Sequence, residues 1–274
     1  MRRVKGLSGV VISYNRIDVI ETCLNAARIC DELIVVDKGS NDGTADIARR
    51  IADTVVQAPW SPTVEETRSG AMALASGDWI LSLDDDECLN VPALEFIVAE
   101  VPNPVAPVYF IPIKHYILGR HDPRAYYWPQ YRPSLFKRGA LEFSARVHKG
   151  WRQTTHEAHY VPADAGPAIV HLSHKDAHIW VEKTNRYTSS PDRSGLATAS
   201  DVSPARIINL MQNYMSNVSE DGDGYLAAVA ALRGVYDVID AVKRWEASQG
   251  IDGDKNFKTV CQELNKQYSS FYNS

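Results

Sequence analysis

Within its first hundred residues the chain alternates short β-branched apolar runs with segments of helical periodicity, and few folds accept that rhythm. Leu7–Ser13 (LSGVVIS), Glu32–Asp37 (ELIVVD), Thr54–Gln57 and Trp79–Leu83 (WILSL) read as strands. Ile17–Ile29, Ala45–Ile51 behind a Thr44 cap, and Val64–Ala75 carry apolar residues at helical spacing. A strand too apolar to have a wet face, then a helix, then another such strand is a βαβ crossover. The strands must lie side by side in a parallel sheet covered on both faces. From Pro102 the rhythm breaks, with Pro102, Pro104, Pro107 and Pro112 interrupting helices and strand-like runs at Val108–Leu118, Ser134–Lys137 and Ala168–Leu172. Helical periodicity returns at Trp180, Arg206–Val218 and Tyr225–Ser248, with Gly195–Pro204 as a linker. The expected architecture is α/β: a Rossmann-like, mostly parallel sheet with helices on both faces, plus a C-terminal helical extension.

Composition narrows the class. With 45% hydrophobic and 23% charged residues among 274, the chain is globular, neither disordered nor a coiled coil. A net charge of −5 argues against a protein coated in nucleic acid. Four scattered cysteines without a CxxC pair fit a reduced chain and argue against a zinc–thiolate centre. No apolar run reaches the roughly 18 residues that span a bilayer. The opening Arg2-Arg3-Val4-Lys5 imitates a signal peptide, but its apolar run is short and ends in Tyr14-Asn15-Arg16. The expected location is cytoplasmic, with peripheral contact at the inner membrane face left open. Tyr225–Ser248 is interrupted by Arg233, Asp237 and Asp240, which favours packing over lying on a membrane.

Chemistry concentrates at Asp84-Asp85-Asp86-Glu87, directly after the strand WILSL. In an open parallel sheet, ligands bind beyond the carboxyl ends of the strands. If the segment stays extended, Asp84 and Asp86 point the same way and Asp85 turns aside. Two such carboxylates hold Mg²⁺ or Mn²⁺ and leave positions for a substrate diphosphate; the bland alternative is a solvated acidic turn. Asp37 closes the second strand at the same edge, suited either to a nucleotide or to an Asx turn capping Gly39–Gly43. Ser13-Tyr14-Asn15 ends the first strand.

VVISYNR, ELIVVDKGSNDGT and TRSGAMALASGDWILSLDDDE together resemble the donor-binding half of family-two glycosyltransferases, which have the GT-A fold. LFKRG at 135–139, VHKG at 147–150 and DGDGYLAAVAALRGVYDVIDAVKRWE at 221–246 are similar to the lipopolysaccharide-core heptose β-glucosyltransferase-like branch. The resemblance implies a GT-A domain over 1–195, with a donor half to about 101 and an acceptor half from 102, then a helical extension over 196–274. It implies that Ser13, Tyr14 and Asp37 contact the nucleotide and that Arg68 approaches the base or diphosphate. Asp84, Asp85 and Asp86 form the DxD site for ribose and metal, with His148 and His171 as further metal or diphosphate contacts. Lys38 departs from the pattern, since many relatives carry a second acid there. The expected reaction is inverting, metal-dependent transfer of a hexose from a nucleotide sugar, a UDP-sugar foremost. The acceptor is a saccharide or glycolipid of lipopolysaccharide core or another envelope polysaccharide, with no nucleic-acid partner.

An inverting transferase needs a carboxylate to take the acceptor's proton. Relatives in this branch carry Asp and Glu where this chain has Gln130 and Lys149, so Asp122 and Glu142 become the candidates by segment. Between Lys114 and Arg152, nine Lys/Arg interleave with eight aromatic residues, against only Asp122 and Glu142. That composition suits a phosphorylated sugar acceptor, or single-stranded nucleic acid. Two other classes stay open at this point: a nucleotidyltransferase using the same acidic site, and a non-catalytic sugar or nucleic-acid binding module.

Overall fold

The computed structural model describes residues 3–61, 64–144, 150–189, 198–216, 218–219 and 222–272. The chain divides into two compact units, Met1–Arg193 with Asn217–Ala230, and Ser194–Ser216 with Ala231–Ser274. In order the elements are β1 (Val4–Ser13), α1 (Ile20–Ala27), β2 (Cys30–Asp37), α2 (Thr44–Ile51), β3 (Thr54–Gln57), α3 (Glu65–Ala73), β4 (Trp79–Asp84), β5 (Glu87–Leu89) and α4 (Val91–Glu100). There follow β6 (Val108–Ile117), β7 (Gln130–Lys137), β8 (Leu141–Phe143), β9 (Trp151–Gln153), β10 (His159–Tyr160), β11 (Ile169–His174) and α5 (Ala177–Thr188). The chain ends with α6 (Pro204–Met215), α7 (Tyr225–Gln249) and α8 (Gly253–Tyr272).

The first unit is built on a nine-stranded sheet of order β3-β2-β1-β4-β7-β6-β11-β5, with β10 beside β6. The strands β3, β2, β1 and β4 are mutually parallel, as the apolar runs require, while β7 runs antiparallel to both β4 and β6. Alternation along the strands sorts the core into two layers. Val11, Leu33 and Val35 pack on one face with Ile20 and Leu24 of α1 and with Ala93 and Ile97 of α4. Val10, Ile12, Ile34 and Val36 pack on the other with Ala71 and Met72 of α3. Burying both faces explains why β1 and β2 lack a polar stripe.

Three local readings change. The helix α2 begins at Thr44 with Gly43 as its cap; the Thr44 hydroxyl instead accepts the Arg16 N–H at 2.7 Å. The strand β5 and helix α4 lie where the sequence suggested only the end of an acidic strand, and Asn90 caps α4 by accepting from the Ala93 N–H at 3.0 Å. The expected linker falls partly on residues outside those described, and its remainder holds a 3₁₀ turn at Ala199–Val202.

The second unit has its own packing. Met211 lies so close to Gly234 that a Cβ there would stand 2.8 Å from the Met211 sulfur. The Tyr214 hydroxyl donates to Asp237 at 2.8 Å. No helix among the described residues is long and apolar enough to cross a membrane.

Candidate active site

Parallel register brings the carboxyl ends of three strands level, because Ser13 pairs with Asp37 and Ile12 with Asp84. Two loops beyond this edge are tied to each other. The Asn15 N–H donates to the Ser40 hydroxyl at 2.9 Å, the Asn41 N–H to the Asn15 side chain at 2.9 Å, and the Ile17 N–H to Asp42 at 3.1 Å. Asp37 holds its loop in the manner of an Asx turn, accepting from the Ser40 N–H at 3.1 Å and from the Gln57 amide at 2.8 Å. Ser13 is buried, and its hydroxyl has no hydrogen-bond partner among the described residues. The Tyr14 ring meets the exposed Trp60 edge-on at 6.4 Å, an aromatic pair flanking the same edge. Lys38 is buried and donates to the Ser61 carbonyl at 2.6 Å.

The acidic cluster is not extended. The strand β4 ends at Asp84, a turn occupies Asp85 and Asp86, and β5 starts at Glu87. The two-residue alternation expected for Asp84 and Asp86 therefore lapses, and the carboxylates fan out. Each oxygen of Asp84 accepts from a different arginine, Arg68 at 2.9 Å and Arg132 at 2.7 Å. Arg132 also grips Glu87, whose carboxylate accepts the Asp84 N–H at 3.0 Å. Asp85 accepts from the Tyr14 N–H at 2.9 Å and from Arg16 at 3.1 Å. Asp86 meets His171 Nε2 at 3.1 Å, Lys183 Nζ at 3.3 Å and Arg16 at 3.3 Å.

Burial and charge set the protonation of this group. Burial would raise Asp84, but Arg132 and Arg68 hold it well below the usual carboxylate range. Burial opposes Asp86 likewise, and His171, Lys183 and Arg16 overcome it, so Asp86 stays ionised. Asp85 is pushed up to about 6 by burial, with Arg16 pulling down and Asp86 adding to the rise. Burial draws the His171 pKa down, and Asp86 lifts it above its ordinary value. Four contiguous carboxylates thus meet four cations, Arg16, Arg68, Arg132 and Lys183, contributed by four separate parts of the chain, a cluster that an anionic ligand can reorganise.

The other expected residues lie elsewhere. Asp122 is buried between Arg124 at 2.7 Å and Arg120 at 3.3 Å, which keep it well below the normal carboxylate range. Glu142, on β8, is exposed and pairs with Arg152 at 2.5 Å. His148 lies outside the described residues. Most arginines of the basic middle segment are spent internally, on Asp122, Asp84, Glu87, Asp78 and Glu142. Among the described residues, no group of three or more His, Cys, Asp or Glu side chains gathers to hold a metal; Asp86 and His171 meet as a pair. Arg16 was within reach of sequence reasoning, because it follows the first strand in SYNR. Arg132, Lys183 and His115 were not, since nothing local marks partners 45 or 97 residues apart.

A two-sided, mostly parallel sheet with its polar cluster beyond the carboxyl edge and an antiparallel β7 between β4 and β6 is a GT-A type nucleotide-sugar-binding architecture. The profile of glycosyl transferase family 2 matches residues 8–153, more than half of the chain, and the chain belongs to that family of glycosyltransferases. It is 28% identical over 222 residues to an uncharacterized glycosyltransferase of Rickettsia bellii, covering 76% of this chain and 73% of that one. It is 27% identical over 96 residues to the lipopolysaccharide core biosynthesis glycosyltransferase LpsC of Rhizobium meliloti, 33% of this chain and 35% of the relative. A crystal structure of S. aureus TarS aligns with 91% of this chain and 55% of its own, with a TM-score of 0.46 at 16% identity.

Proposed function

We propose that the protein transfers a hexose, with inversion, from a nucleotide sugar to a saccharide or glycolipid acceptor, and that a UDP-sugar is the donor. The observation that carries this reading is the Asp86–His171 pair at 3.1 Å, flanked by Arg16 and Lys183, beyond the carboxyl edge of a family-two sheet. One carboxylate and one imidazole form a donor set suited to Mn²⁺ or Mg²⁺ when diphosphate and water complete the sphere. Asp86 and His171 would hold the ion in this reading, and Asp84, each oxygen already taken by an arginine, orients Arg68 and Arg132 instead. The bound cation supplies neutralisation of the charge that grows on the departing diphosphate.

The remaining roles belong to side chains. Tyr14 and Trp60 flank the base, and Asp37 and Ser13 define the floor of the nucleotide site. Arg16 and Lys183 stand ready for phosphate oxygens, where charge-assisted donors contribute most. The acceptor hydroxyl attacks the anomeric carbon from the face opposite the diphosphate, and a carboxylate removes its proton. Glu142 is the base of choice: Asp122 is neutralised by two guanidinium groups, whereas Glu142 meets one among the described residues and is open to solvent. Its conversion to Gln should lower kcat by about 10²–10⁴-fold with UDP binding intact.

The acceptor class follows from the branch resemblance and the LpsC relative, which support lipopolysaccharide core or a related envelope glycan. The test is UDP release from a panel of UDP-hexoses, with Mn²⁺ or EDTA, in the presence of deacylated lipopolysaccharide core, with product anomers assigned by NMR. Mn²⁺-dependent release with one donor and an inverted linkage is expected. Release with no donor in the panel would contradict the UDP-sugar reading.

A further inference from the structure

Behind His171 the site continues in a direction that the transferase chemistry has not used. The strand β6 lies between β11 and β7, and register sets His171 opposite His115 and Gln130 opposite Ile113. The three polar side chains form a chain of contacts. His115 Nδ1 lies 2.8 Å from His171 Nδ1, and His115 Nε2 lies 2.8 Å from the Gln130 side-chain oxygen. The His115 ring is wedged edge-on against Tyr127 at 5.5 Å, so its orientation is fixed by packing.

With the oxygen of the Gln130 amide, rather than its NH₂, turned to His115, hydrogen-bond bookkeeping along this chain has one outcome. The Gln130 oxygen is an acceptor, so His115 Nε2 must carry a proton and donate it. A neutral His115 protonated at Nε2 has only a lone pair at Nδ1, which must accept from His171 Nδ1–H. His171 then keeps a proton on Nδ1, and its Nε2, which faces Asp86 at 3.1 Å, is the nitrogen that gives up its proton when a cation binds.

We propose that Gln130 and His115 are positioning residues that lock the tautomer and ring angle of His171, so that its Nε2 is presented for a divalent cation shared with Asp86. The inference rests on the metal-dependent reading above. Gln130 accepts the His115 proton without bringing a negative charge to the ring. Outer partners of metal-bound histidines act in this way in general, and losing one costs about 10–100-fold in metal affinity.

The test uses the full chain with UDP and Mn²⁺, read by titration calorimetry and by pulsed EPR for ¹⁴N coupling from imidazole to Mn²⁺. The wild type should show imidazole coupling, and His171→Ala should lose it. His115→Ala should weaken Mn²⁺ binding by about 10–100-fold and diminish the coupling, with metal-free UDP binding unchanged. His115→Asn, whose carbonyl can accept from His171 Nδ1–H, should recover Mn²⁺ affinity to within about threefold of wild type. Gln130→Leu, which leaves both histidines in place, should cost about tenfold and keeps the test valid if His115→Ala does not fold. Wild-type Mn²⁺ affinity in both His115→Ala and Gln130→Leu overturns the relay and leaves the metal reading standing. Absence of Mn²⁺ binding in the wild type overturns both.

Discussion

Arg132 bridges Asp84 and Glu87 from a half-buried position on β7. Removing it leaves the buried Glu87 without its guanidinium partner and Asp84 with Arg68 alone. Arg132→Met is therefore expected to lower unfolding stability by about 3–5 kcal/mol in urea titrations, and adding Glu87→Gln should return part of that loss. A second prediction concerns His174, whose ring packs against Trp180 at 4.4 Å and whose pKa burial pushes down to about 3. A histidine depressed in the folded state takes up protons more readily when unfolded. Its contribution is fully present above the unfolded value of about 6.5 and is lost as pH falls toward 3. Melting temperature should drop between pH 7 and pH 5, with a slope bounded by about 1.4 kcal/mol per pH unit for one histidine, and His174→Phe should flatten that drop. Asp37 and the Asp84–Glu87 cluster were legible in the sequence because they adjoin strand ends, where local pattern predicts position. Their partners were not: Arg132 and Lys183 reach the cluster only through the places that β7 and α5 take in the fold, which no short window encodes.

Elements were read well where a period repeated and poorly where one residue decided the backbone. The strands β1 to β4 and helices α1 to α3 lie close to their expected bounds, since burial on both faces leaves an unbroken apolar signature. The turn at Asp85-Asp86 escaped notice because four acids in a row carry no alternation to break, and that turn reassigns which carboxylates stand together. Gly77 shows the same limit. It looks like an ordinary loop glycine before β4, yet a Cβ there would lie 2.5 Å from the Gly6 carbonyl oxygen and 2.8 Å from the Ser8 hydroxyl. Gly77→Ala must push β1 and β4 apart, and a destabilisation of about 1–3 kcal/mol in chemical denaturation is expected. An alanine variant as stable as the wild type would show that this edge of the sheet yields more easily than its spacing implies.

At the scale of the molecule, the alternating sequence defined the sheet, and the family match over residues 8–153 falls on the unit that carries the site. Every residue of α8 from Gly253 to Ser269 is exposed. Ending the chain after Gln249 should therefore leave UDP affinity as it was, measured by calorimetry; a large loss would assign α8 a part in donor binding. The central claim is narrower, that Asp86 with His171 makes nucleotide binding depend on a divalent cation. Titration of UDP into wild type and Asp86→Ala, with and without Mn²⁺, tests it most directly. The account predicts binding strengthened by Mn²⁺ in the wild type and indifferent to Mn²⁺ in the variant. UDP binding that ignores Mn²⁺ in the wild type, or that keeps its Mn²⁺ dependence without Asp86, would contradict it.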